Sequence, residues 1–132
     1  MISEKDITII IPHLGGTPEM EYSINQCITS LEETARKIRR IVVTNGNDCS
    51  ESHAMRADLD IMDQGQCKAV NAAVATTNTP WIMVTNDDMV YPPGWFEKLV
   101  DFDERFNFCV SPKLLEPRPG APTFITHFCG GA

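Results

Sequence analysis

An α/β fold built on an open, mostly parallel sheet flanked by helices is what this sequence predicts, and three observations predict it. Short β-branched runs without polar alternation, Ile7–Ile11 and Arg40–Thr44 foremost, have the texture of strands buried on both faces. Amphipathic stretches at helical spacing separate such runs. Gly, Pro and Asn-Gly punctuation then cuts the chain into the order β-α-β-loop-β-α-β-α-β, the alternation that builds parallel sheets. With 132 residues the chain reads as a single domain, able to bury roughly two-thirds of its unfolded surface without disulfide or metal staples.

Each element follows from local chemistry. Ile7–Ile11 is a strand stopped by Pro12, and Leu14-Gly15-Gly16 is a turn. Thr17, Pro18 and Glu19 supply an N-cap, a first-turn proline and a first-turn acid. Met20, Ile24, Cys27, Leu31, Ala35 and Ile38 then recur at helical spacing. Arg40–Thr44 is the second strand, ended by the turn formers Asn45-Gly46-Asn47-Asp48. Leu59–Met62 reads as a short third strand, and Ala-rich Lys68–Thr77 as a helix that opens just after Gly65. Trp81–Thr85 is a strand, Pro93-Gly94-Trp95 opens a helix running to about Glu104, and Phe108–Ser111 is strand-like. From Pro112 onward Pro117, Pro119 and Pro122 break up the texture, although Thr123–Phe128 alternates like a strand, and the fold reads as incomplete at its carboxyl end.

Composition narrows the function. Eleven Lys and Arg stand against 18 Asp and Glu, a formal charge of −7, and the longest basic run is Arg36, Lys37, Arg39, Arg40. Such a surface is a poor partner for nucleic acid. The apolar runs are strand-sized, short of a membrane span, and the first residues lack a signal-peptide layout, so a soluble cytoplasmic protein is expected. Five cysteines without a C-x-x-C pair read as reduced, mainly core residues.

The strongest chemical signal is Trp81-Ile82-Met83-Val84-Thr85-Asn86-Asp87-Asp88, an apolar strand delivering two carboxylates to its carboxyl end. In open α/β sheets ligands bind at that edge. Hard cations such as Mg2+ and Mn2+ take one or two carboxylates there, with phosphate oxygens and water completing the shell. If extended geometry persists past the strand, Asn86 and Asp88 face one side and Asp87 the other, which favours Asp88 as the ligand. The plainer alternative is that the two acids only cap a turn. His13 is equally compatible with a nucleotide contact and with a solvated loop position. His53 and His127 have no partner at metal-ligand spacing.

Taken in order, these segments resemble glycosyltransferase family 2, enzymes of the GT-A fold that move a sugar from a nucleoside diphosphate. The resemblance rests on the strand ending in Pro12, on Thr44-Asn45-Gly46 after the second strand, and on Gly65, Ala69 and Asn71 in a Gly-x-x-x-Ala-x-Asn helix. Asn86-Asp87-Asp88 stands at the Asp-x-Asp position, and Pro93-Gly94-Trp95 opens the following helix. It implies that Pro12, His13, Asn45, Asp48 and Gly65 line a base and ribose pocket. Lys68 would lie near that pocket or the phosphates, Asn86 and Asp87 would join the nucleotide site, and Asp88 would hold Mn2+ or Mg2+. Two positions depart from the family pattern: Thr44 replaces an acid that commonly accepts a hydrogen bond from the base, and Asn86 replaces the first acid of Asp-x-Asp.

The function implied is inverting, metal-assisted transfer of a hexose from a nucleoside-diphosphate sugar to an acceptor hydroxyl, with this chain carrying mainly the donor-binding part. The family's general base follows a Gly-Gly-Ala-like stretch, resembled here by Gly130-Gly131-Ala132, so no residue of the chain is assigned that role. The alternative from another class is a non-catalytic nucleotide-binding or self-associating module, a homo-oligomer on the same fold. A dinucleotide oxidoreductase or P-loop ATPase would need a G-x-G-x-x-G or Gly-Lys-Ser/Thr loop that the sequence lacks.

Overall fold

A computed structural model describes residues 2–13, 17–44, 59–60, 65–101, 113–118 and 121–127, with side chains described outside 59–60, 113–118 and 121–127. The chain divides into two compact units, Met1–Pro93 and Gly94–Ala132.

The first unit holds the parallel sheet. Strand β1 (Ile7–His13) is central, β2 (Arg39–Thr44) and β4 (Trp81–Val84) flank it, and β3 (Leu59–Asp60) lies outside β2, giving the order β3-β2-β1-β4. Pro12 does not stop β1 as the sequence predicts. It pairs in register with Val43, and His13 with Thr44, whereas pairing with β4 ends at Ile10 opposite Val84. Beyond Ile10 the strand therefore has one neighbour among the described residues, and a residue without an N–H is tolerated where a second ladder is not required.

Helix α1 (Pro18–Ala35) starts as its sequence dictates: the Thr17 hydroxyl accepts from the Met20 N–H at 3.2 Å, and Pro18 fills the first turn. It ends at Ala35, short of the Ile38 that the periodicity reaches. The Ile38 N–H donates to the Ala35 carbonyl in a closing turn at 3.1 Å, and the side chain is still buried. Helix α2 (Gln66–Val74) begins two residues before Lys68, directly after Gly65, whose φ of 91° is a left-handed value that glycine adopts without strain. It stops before the expected Thr77 because the hydroxyls of Thr76 and Thr77 turn back onto the carbonyls of Ala73 and Val74, at 2.8 and 3.2 Å.

The helices cover opposite faces of the sheet. Ile10 packs with Ile41, Val43, Ala69 and Ala73, bringing α2 onto one face, where the small alanines permit close approach. Thr8 points the same way, its hydroxyl 2.8 Å from that of Thr79. Ile9, Ile11 and His13 alternate to the other face. There α1 supplies Glu21, beside His13, and buries Ile24, Cys27, Ile28 and Leu31. Edge strand β4 alternates instead of being buried throughout, with Ile82 and Val84 exposed.

In the second unit α3 (Trp95–Leu99) follows Gly94, whose φ is 80°, and Trp95 and Phe96 meet edge to face at 5.8 Å. The helix is shorter than predicted. Val100 is its C-cap, the N–H still making a helical bond to the Phe96 carbonyl at 3.0 Å, and Asp101 lies outside it. Strands β5 (Lys113–Arg118) and β6 (Ala121–His127) pair antiparallel. Pro117 and Pro122 thus do not break the strands that hold them: Pro117 sits where the register shifts between Glu116 and Arg118, a position that loses little for want of an N–H, while Pro112 and Pro119 lie outside the described residues. The expected strand Phe108–Ser111 lies outside the described residues.

Candidate functional site

The strand order fixes where a ligand can enter. From β1 the chain proceeds through α1 to β2 on one side, and returns through α2 to β4 on the other. The carboxyl ends of β1 and β4 therefore flank a topological switch point, where open parallel sheets leave a crevice. Pairing between those strands stops at Ile10 and Val84, and the Thr85 N–H makes one further bond, to the Ile10 carbonyl at 3.1 Å. Past this point the chain turns, placing Asn86, Asp87 and Asp88 at the edge of the gap.

Extended geometry does not persist to the acids, so alternation is not what separates them: β4 ends at Val84, and Asp87 and Asp88 occupy a turn. His13 separates them instead. It is no loop residue but the last residue of β1, only 2% exposed. Its Nδ1 lies 2.7 Å from Asp87 Oδ2 and its Nε2 lies 3.2 Å from Glu21 Oε1. An imidazole donates from both nitrogens only when protonated. Burial alone would lower the His13 pKa, but the hydrogen bonds the ring donates to Asp87 and then Glu21, with the charges of both acids, outweigh it and raise the pKa above 6.5. Asp88 is exposed.

The acidic turn is also tied to α1. The Cys27 thiol donates to the Asn86 carbonyl at 3.8 Å, and the Ser30 hydroxyl accepts from the Tyr91 N–H at 3.0 Å while donating to the Cys27 carbonyl at 2.8 Å. Tyr91 is buried, and its hydroxyl is hydrogen-bonded to that of Thr85. Burial, reinforced by the negative charge of Asp87, pushes the Cys27 thiol up to about 12, so it is an uncharged donor. Burial likewise raises the Tyr91 phenol.

The remaining predicted residues sit on the same edge of the sheet or outside the described residues. Pro12 is half-buried beside His13, and Gly65 and Lys68 are exposed at the start of α2. Thr44, at the end of β2, is buried in register with His13. Asn45 and Asp48 lie outside the described residues. Glu21, Cys27, Ser30 and Tyr91 were not read from the sequence as parts of this site. The available signal was Ser30, a hydroxyl set among the apolar positions Cys27 and Leu31 of α1.

A helix-flanked parallel sheet of this order, with an acidic turn after β4 at its switch point, defines a GT-A-like protein. The model of the family "Glycosyl transferase family 2" matches residues 8–116, most of the chain. The protein belongs to that family and is a glycosyltransferase in the general sense. No curated protein and no solved structure matches the chain. Among the described residues no helix is long and apolar enough to cross a membrane.

Proposed function

We propose that the chain binds the nucleoside-diphosphate sugar of an inverting, metal-assisted transfer, of hexosyltransferase type, to an acceptor hydroxyl. The observation that carries this reading is the turn Asn86-Asp87-Asp88 at the switch point, with Asp88 exposed and Asp87 engaged by His13. Pro12, Asn45, Asp48 and Gly65 are assigned to the base and ribose, with the Asn86 amide on a ribose hydroxyl. Lys68, in the first turn of α2, is assigned to the phosphates, where the amide groups of a helix start favour anions. The catalytic base is assigned to no residue of the chain.

The residues present suit a cation shared with the donor, not one caged by protein. Among the described residues no group of three or more His, Cys, Asp or Glu could hold a metal. One exposed carboxylate with a neighbouring amide suits Mg2+ or Mn2+, which keep water and phosphate oxygens as ligands. Asp88 would hold the ion, which when bound would offset the charge of the leaving diphosphate. The need is electrostatic: the chain carries a net −7, and a diphosphate brings further negative charge.

Calorimetric titration of UDP, GDP and dTDP with and without Mn2+ tests this. Metal-dependent binding of at least one, abolished by Asp88→Asn, is expected. No metal-dependent binding of any nucleotide would overturn the reading. If the chain also self-associated on a sizing column, with a melting temperature indifferent to nucleotide, the interaction-module alternative would take its place.

A further inference from the structure

We infer that His13, backed by Glu21, is a positioning residue of the donor site: it holds the Asp87 carboxylate across the gap between β1 and β4, so that the acidic turn presents Asp88 alone. The inference rests on the donor reading above and deepens it by giving the two adjacent acids different tasks.

The geometry carries the assignment. The His13 side chain is 1% exposed and offers a ligand almost no surface, yet both ring nitrogens meet carboxylate oxygens, at 2.7 and 3.2 Å. The two acids come from different elements, Glu21 from the first turn of α1 and Asp87 from the turn after β4. The imidazole, fixed on central strand β1, thus joins three segments at the place where the β1–β4 ladder has ended. The Glu21 carboxylate has no partner besides His13 among the described residues: its second oxygen, Oε2, is buried and makes no hydrogen bond there. Its described interaction is therefore to orient the ring. The Cys27–Asn86 and Ser30–Tyr91 bonds fix the flanks of the same turn, leaving the His13–Asp87 bond to set its centre. The bond commits one oxygen of Asp87 to the buried ring and fixes the orientation of its carboxylate, whereas Asp88 is exposed.

Four variants separate positioning from ligation and from bare stability. Asp87→Asn and Glu21→Gln leave an amide facing each ring nitrogen and should weaken Mn2+-dependent nucleotide binding less than His13→Ala does and far less than Asp88→Asn does. His13→Ala should weaken that binding about 10- to 100-fold, the usual effect of removing a group that orients a ligand residue. Amide hydrogen exchange at residues 86–88 should accelerate in the same variant. Ile38→Ala, a core truncation away from the turn, supplies the control for lost stability at a matched distance below the melting temperature, and should leave both readouts unchanged.

Loss of metal-dependent binding in Asp87→Asn comparable to that in Asp88→Asn would overturn the inference, because Asp87 would then be a ligand. So would a His13→Ala variant that matched Ile38→Ala in nucleotide affinity and in exchange at 86–88. Failure of the unaltered chain to bind any nucleotide with Mn2+ would instead remove the donor reading. Exchange at 86–88 would still decide whether His13 holds the turn.

Discussion

His13 shows how one side chain can link charge to stability. Its pKa is raised in the folded protein, so the stability it contributes is complete below its ordinary value of 6.5 and is lost as pH rises through the higher folded value. Thermal melts across neutral and mildly alkaline pH should therefore show a decline that His13→Gln flattens; equal slopes in the two proteins would rule out this linkage. Cys27 makes a second case. A buried thiol held up at about 12 has negligible thiolate at neutral pH, whereas Cys67 is exposed. Peptide mapping after a brief treatment with a thiol reagent should find Cys67 modified and Cys27 untouched until denaturant is added.

At the scale of elements, α1 both covers the sheet and anchors the acidic turn. Its start was readable because capping is local: Thr17 and Pro18 act within one turn of chain. Thr17→Ala should lower stability by about 1 kcal/mol in a denaturant titration. The tie to the turn is not local, since Ser30 and Tyr91 are distant in sequence. Ser30→Ala withdraws the hydroxyl acceptor from a buried N–H, for which about 1 to 3 kcal/mol is expected. Hydrogen exchange should place the loosening at Tyr91 and the preceding turn; an effect confined to α1 would contradict the assignment. Where sequence misjudged the end of α2, specific bonds were responsible: the Thr76 and Thr77 hydroxyls turn back onto the carbonyls of Ala73 and Val74.

For the whole molecule, the sheet order matters more than any one contact. Ile10 lies at the middle of the central strand, fully buried against both flanking strands and α2, so its truncation has few ways to relax. Ile10→Ala should cost about 2 to 5 kcal/mol, measured as a shift in denaturant midpoint without a change in slope. The same order, β3-β2-β1-β4, creates the gap at which the acidic turn emerges.

The sequence by itself determined the class of fold, the family and the identity of the acidic turn, because these depend on side-chain periodicity, capping and short motifs that act over a few residues. It could not determine that Pro12 continues its strand or that His13 is buried. Nor could it show that Asp87 is spoken for while Asp88 is exposed. Those outcomes were decided by tertiary structure. They depend on where β4 parts from β1 and on an imidazole meeting carboxylates from two other elements, and pairings so distant along the chain leave no local trace.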